Sequence, residues 1–212
     1  MPDRPRPVVL THGMWLGAWS LVPLARHLTA QGLEVHRFGY SSRHSTAAEH
    51  AKRLAAFAAD FGPVDLVAHS LGGIVALHAC GLLPQPAGKA VLIGSPIGGS
   101  RAARRFAGWP GGPSMLGLAA EDLVRPAPAP PSHWAVGMIA GRVRLGLGVL
   151  AGGGRFAGDG TVALEETRED WLADHLVVAE SHTSLQLSRR VARQVAAFLR
   201  KGAFDPDPDP GK

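Results

Sequence analysis

A serine hydroxyl attacks carbonyl carbon poorly until a neighbouring base removes its proton. The chemistry to look for is therefore a serine in an exposed, constrained turn, with a histidine and a carboxylate elsewhere in the chain. Val64–Gly73 (VDLVAHSLGG) sets Ser70 where an apolar run stops and a helical pattern starts. Ala68 and Gly72 stand two positions to either side, and such a sharp corner admits only small residues there. The Leu71 N–H would then lie at a helix N-terminus, facing any negative charge that develops nearby. Thr11–Trp19 (THGMWLGAW) follows the first apolar run, and Gly13 can turn the Met14 N–H into the same pocket. Two such amides are what an acyl-transfer oxyanion needs. Gly158–Val162 (GDGTV) supplies Asp159, and Glu180–Ser184 (ESHTS) supplies His182. An imidazole titrates near neutrality and can take and return the serine proton, while a carboxylate fixes its tautomer.

Read alone, each segment also fits an ordinary turn or a helix cap. The order Ser70, Asp159, His182, each after a strand, separates the two readings, because it is the order expected of this triad on an alternating β/α sheet. Asp122 competes with Asp159 for the acid's place, in the insert after the Lys89–Ile93 run; topology favours Asp159. His69 adjoins Ser70 and should point elsewhere. His175, Asp65, Asp170 and Asp174 fall at the opposite end of their strands. Cys80 reads as core. Trp15 and Trp109, with the apolar glycine-rich stretch, are candidates to line an acyl site.

The elements that must position these groups are short apolar runs, the pattern of strands buried on both faces of a parallel sheet. The runs are Pro7–Thr11, Glu34–Phe38, Val64–Ala68, Lys89–Ile93, Trp134–Ala140 and Asp174–Ala179. Helical patterns over Trp19–Gln31, Thr46–Asp60, Ser70–Leu83 and Leu185–Lys201 alternate with them. This predicts an α/β fold: about six mostly parallel strands covered by helices on both faces, with a reduced, irregular cap. The 212 residues suit one domain, residues 1–204, with an insert at about 100–132, a glycine-rich loop at about 141–158 and a disordered tail at 205–212. The formal charge is +5, scattered apart from Arg101, Arg104 and Arg105, with no nucleic-acid motif beside that cluster. No run is long enough for a membrane span. One cysteine and no signal pattern lead to the expectation of a cytoplasmic protein.

On these motifs the chain resembles the α/β hydrolases, and among them the small bacterial lipases and esterases. AHSLGG resembles their Ala-type nucleophile turn, and THGMWLGAW their oxyanion segment. Ile93–Ser100 (IGSPIGGS) is similar to a Gly-Thr-Pro segment with Ser95 in place of Thr, and DGTV and SHT resemble the acid and base segments. The resemblance implies a parallel sheet lacking the usual first two strands, an acyl-Ser70 intermediate, no metal and no other cofactor. It implies hydrolysis of a small carboxylic ester with an apolar acyl chain. An acyltransferase or thioesterase would use the same residues, and a non-catalytic binding module would keep only the scaffold.

Overall fold

A computed structural model describes residues 6–83, 88–145, 149 and 156–206. Six strands, β1 (Val8–Thr11), β2 (Val35–Phe38), β3 (Asp65–His69), β4 (Lys89–Ile93), β5 (Ala135–Gly141) and β6 (Asp174–Val178), form one sheet in the order β2-β1-β3-β4-β5-β6. Every pairing is parallel. All strands therefore end on one edge, and the loops that carry Gly13, Ser70, Gly94 and His182 leave from that edge.

Helices α1 (Val22–Thr29) and α7 (Arg189–Lys201) pack on one face; α2 (Ala47–Ala59) and α3 (Leu71–Cys80) cover the other. Helix α3 is apolar on nearly every side because it lies between the sheet and α2, and nine of its ten residues are buried. It ends at Cys80, earlier than expected from the sequence: Gly81 caps it, and the Leu82 and Leu83 amides fold back on the Ala79 carbonyl. The expected Leu185–Lys201 helix divides into a 3-10 turn at Ser184–Gln186 and α7, because the Ser188 hydroxyl caps the latter by accepting from the Val191 N–H. Likewise, a 3-10 turn at Ala18–Leu21 precedes α1, whose first turn holds Pro23.

The insert after β4 is more regular than the sequence suggests. It forms three short helices, α4 (Arg101–Ala107), α5 (Gly112–Leu116) and α6 (Ala119–Val124). Ser100 caps the first, and Ala102, Ala103, Leu116, Ala119 and Leu123 bury the inner side. The clustered prolines fall after α6, where they cost no helix. Of the glycine-rich loop, residues 146–148 and 150–155 lie outside the described residues, as do 207–212 of the tail. Asp205, expected in that tail, is tied down: its N–H donates to Gln194 Oε1, its carbonyl accepts from Gln194 Nε2, and its carboxylate meets Lys201 Nζ at 2.6 Å.

Candidate active site

Ser70 joins β3 directly to α3 with φ 56° and ψ −124°, a backbone conformation that costs a non-glycine residue about 1–3 kcal/mol. Its N–H donates to the Ile93 carbonyl at 2.9 Å, which pins the corner to the neighbouring strand. The corner is tight enough that a Cβ at Gly72 would stand 2.6 Å from the His12 carbonyl oxygen and 2.7 Å from Thr11 Oγ1. Only glycine lets α3 approach β1 this closely.

Ser70, His182 and Asp159 meet across 112 and 23 residues of chain. Asp159 Oδ2 lies 2.7 Å from His182 Nδ1, and His182 Nε2 lies 3.0 Å from Ser70 Oγ. Asp159 is 1% exposed. Burial pushes its carboxyl upward, but the His182 imidazole and the Thr161 and Val162 amides outweigh that and hold it below the usual carboxylate range. An ionised carboxylate only accepts, so Nδ1 carries the hydrogen and Nε2 presents its lone pair to the serine hydroxyl. His182 is held at its backbone as well. Its N–H donates to the Asp159 carbonyl at 3.0 Å, and its carbonyl accepts from His69 Nε2 at 3.0 Å.

Gly13 lies against Ser70: a Cβ there would stand 3.0 Å from Ser70 Cβ. The following amide, Met14 N–H, thus belongs to the peptide unit beside Ser70. Leu71 N–H is the first amide of α3 and has no carbonyl one turn back to accept it. Trp15 and Trp109 both reach one aromatic cluster. Phe106 of α4 stands 5.7 Å from the Trp15 ring and 5.4 Å from the Trp109 ring, and both indoles are about half exposed.

Asp122 is elsewhere. Its Oδ2 accepts from the Ala47 N–H at 2.7 Å, supplementing the Thr46–Glu49 capping box at the start of α2. Cys80 is buried in the core, which pushes its thiol up to about 12 and leaves it inert. Among the described residues, no group of three or more His, Cys, Asp or Glu side chains is placed to hold a metal ion.

Several supporting residues carry no motif of their own. His12 is fully buried; its Nδ1–H donates to the Gly13 carbonyl at 2.9 Å, and its Nε2 accepts from the Tyr40 N–H at 3.2 Å. Tyr40 stacks on the His12 ring at 4.3 Å and donates its hydroxyl to the His12 carbonyl at 2.7 Å. These contacts fix the Gly13–Met14 peptide plane from behind. Gly94, at φ 56° after β4, clears space under the pair: a Cβ there would stand 3.1 Å from Asp159 Oδ2 and 3.3 Å from His182 Nδ1. Glu166 joins the cap to the acid loop, accepting from the Arg101 and Ala163 amides. A glycine directly after a strand could have flagged Gly94. Nothing local marks Tyr40, because its partner lies 28 residues away.

A family model described as the Alpha/beta hydrolase family matches residues 8–210. Among solved structures, the mature Bacillus licheniformis lipase BlEst2 superposes with a TM-score of 0.76 at 18% identity, over 95% of this chain and 94% of that one. Phospholipase PlaB from Legionella pneumophila gives 0.70 at 14% identity, over 92% of this chain and 56% of that one. A thermophilic esterase from Thermogutta terrifontis gives 0.64 at 15% identity, over 93% and 90%. No curated protein matches the chain.

Proposed function

Because this chain belongs to the α/β-hydrolase family, we propose that it hydrolyses carboxylic esters through an acyl-Ser70 intermediate. The observation that carries the reading is the Asp159–His182–Ser70 relay, 2.7 Å and 3.0 Å long, ending on a serine in a strained corner. His182 Nε2 takes the proton as Ser70 Oγ attacks the ester carbonyl. Met14 and Leu71 N–H groups hold the oxyanion, and Asp159 stabilises the imidazolium. The proton then goes to the departing alcohol. Water repeats the cycle with His182 as base and releases the acid. Lipase and esterase neighbours support an ester substrate.

The aromatic cluster of Trp15, Phe106 and Trp109 offers apolar contact for an acyl chain, where each buried methylene adds about 0.8 kcal/mol. The cap helices have seven, five and six residues, too short for a long amphipathic lid. Short- to medium-chain soluble esters are the expected substrates. The test is labelling by a fluorophosphonate, followed by p-nitrophenyl esters from acetate to palmitate below and above their solubility limits. Labelling should vanish in Ser70→Ala, and rates should rise with chain length and then level. An unlabelled wild-type protein overturns the mechanism; a jump in rate at the solubility limit overturns the substrate class.

A further inference from the structure

Beside the oxyanion loop lies a groove of about 490 Å³ that the ester reading leaves unused. That volume is within the range of small-molecule sites. Trp15 lines it together with Tyr40, Ser41, Ser42, Arg43 and His44 from the loop between β2 and α2. Its lining includes Trp15, the residue after Met14, and Tyr40, whose ring stacks on His12.

Three observations bear on what fits it. The first is charge. Among the residues that line the groove there is no carboxylate, while a guanidinium, an imidazole and hydroxyls face it. The nearest acidic side chains around the start of α2 are engaged elsewhere, Glu49 by the Thr46 N–H and Asp122 by the Ala47 N–H. Arg101 and Arg125 pair with Glu165 and Glu121; Arg43 has no carboxylate partner among the described residues.

The second is construction. The walls are fixed by hydrogen bonds independent of any occupant. Ser42 Oγ accepts from the Trp15 N–H at 3.0 Å, and the Met115 carbonyl accepts from Trp15 Nε1 at 2.9 Å. The Arg43 carbonyl accepts from the Leu118 N–H at 3.0 Å, and the Ser41 hydroxyl meets His44 Nδ1 at 2.5 Å. A preformed site loses less freedom on binding.

The third is strain. Trp15 is held at φ 58°, one of two non-glycine residues with positive φ among those described; the other is Ser70. The left-handed region is unfavourable for a bulky residue and persists where the surroundings enforce it. Here it turns the indole between the groove on one side and Phe106 of the cap on the other.

Resting on the ester-hydrolase reading, we propose that this groove is an anion subsite that selects esters carrying a carboxylate or phosphate, with Arg43 as its charge contact. Trp15 divides the two parts of such a substrate: the apolar part lies toward Phe106 and the anionic part toward Arg43.

The experiment uses two substrate pairs, each matched but for one charge. 4-Nitrophenyl butyrate is compared with 3-carboxy-4-nitrophenyl butyrate, and 4-nitrophenyl pentanoate with 4-nitrophenyl hydrogen glutarate. The pairs place the anion on the alcohol side and on the acyl side respectively. In at least one pair, Arg43→Gln should lower the anionic-to-neutral ratio of kcat/KM about fivefold, the size of one solvent-exposed ion pair. The loss should sit in KM. Arg43→Lys should keep most of the ratio, and 0.5 M NaCl should shrink the wild-type preference. Ratios unchanged by Arg43→Gln in both pairs overturn the subsite. If no ester turns over and fluorophosphonate leaves Ser70 unlabelled, the ester reading fails instead. Calorimetric titration with succinate and with inorganic phosphate then decides the subsite without turnover: binding weakened by Arg43→Gln supports it, and no binding of either overturns it.

Discussion

At the scale of single residues, the arrangement separates groups that touch the reacting atoms from groups that aim them. Asp159 and Asp122 make the contrast plain, since each accepts backbone amides but only Asp159 also meets His182. Asp159→Asn should lower kcat by about 10³–10⁴, because an amide can leave His182 in the wrong tautomer. Asp122→Asn should leave kcat near wild type and cost at most about 1 kcal/mol of stability through the α2 cap. Steady-state kinetics and urea unfolding of both variants check this; the reverse ranking would move the acid to α6. Tyr40 aims rather than reacts. Tyr40→Phe removes one buried hydroxyl donor from the His12 carbonyl and leaves the stacked ring. It should lower kcat about tenfold with KM within about twofold, since the Gly13–Met14 peptide would matter most when the oxyanion forms. An equal loss in KM would show a general loosening of the loop.

At the scale of elements, helices and strands hold the site by what they bury. Helix α7 closes one face with Val191, Val195 and Phe198, all fully buried. Gly137 of β5 makes room for that packing: a Cβ there would come within 2.6 Å of the Phe198 ring. The Phe204 ring lies tilted against Phe198 at 5.0 Å, and the Phe204 N–H donates to Asp174 Oδ2 at 2.8 Å. The segment after α7 is thus part of the core face up to Asp205. Phe204→Ala should cost about 1 kcal/mol, below the ~1.5–3 kcal/mol of a fully buried side chain because the ring is only partly buried. Chemical denaturation should give a lower midpoint with an unchanged slope, and an unmoved midpoint would show that the ring adds nothing.

At the scale of the whole molecule, acid should act on stability before it acts on the fold's carboxylates. Burial holds the His12 imidazole below its usual range and takes His69 down to about 3. Both stay neutral in the folded protein while the unfolded chain protonates near 6.5. Their contribution is complete above about pH 6.5 and is lost as pH falls toward the folded values, by at most about 1.4 kcal/mol per pH unit for each. Burial raises Asp65 and Glu166, so their contributions run the other way, present at low pH and lost as pH rises through the folded values. Melting temperatures between pH 8 and pH 4.5 should therefore fall below pH 6.5. His69→Gln, which keeps a donor for the His182 carbonyl, should fall less steeply. A parallel decline in both would remove His69 from the account.

The strand order of chemistry was legible in one dimension because local rules govern it. Small residues around Ser70 impose a corner, an apolar run ending at Thr11 imposes a strand end, and Asp159 and His182 each follow a β run. Parallel strands bring all such ends to one edge, so the sequence alone determined the fold class and nominated Ser70, Asp159 and His182. It also determined that Cys80 and most of α3 would be core. The three short helices of the insert were not legible because glycine and proline lower helix propensity residue by residue, whereas burial of Ala103, Leu116 and Leu123 in the core cluster that α3 also joins outweighs that. Only the tertiary structure placed the Asp122 carboxylate at the start of α2 and drew Tyr40 and Ser42 onto the His12–Trp15 loop. It also set the His69 ring tilted against that of His182, 4.8 Å between centroids, and brought Arg43 and Trp15 to one groove. Each of these depends on a contact between residues far apart in the chain, and no periodicity, cap or turn rule carries information about which distant side chain will fill a given space.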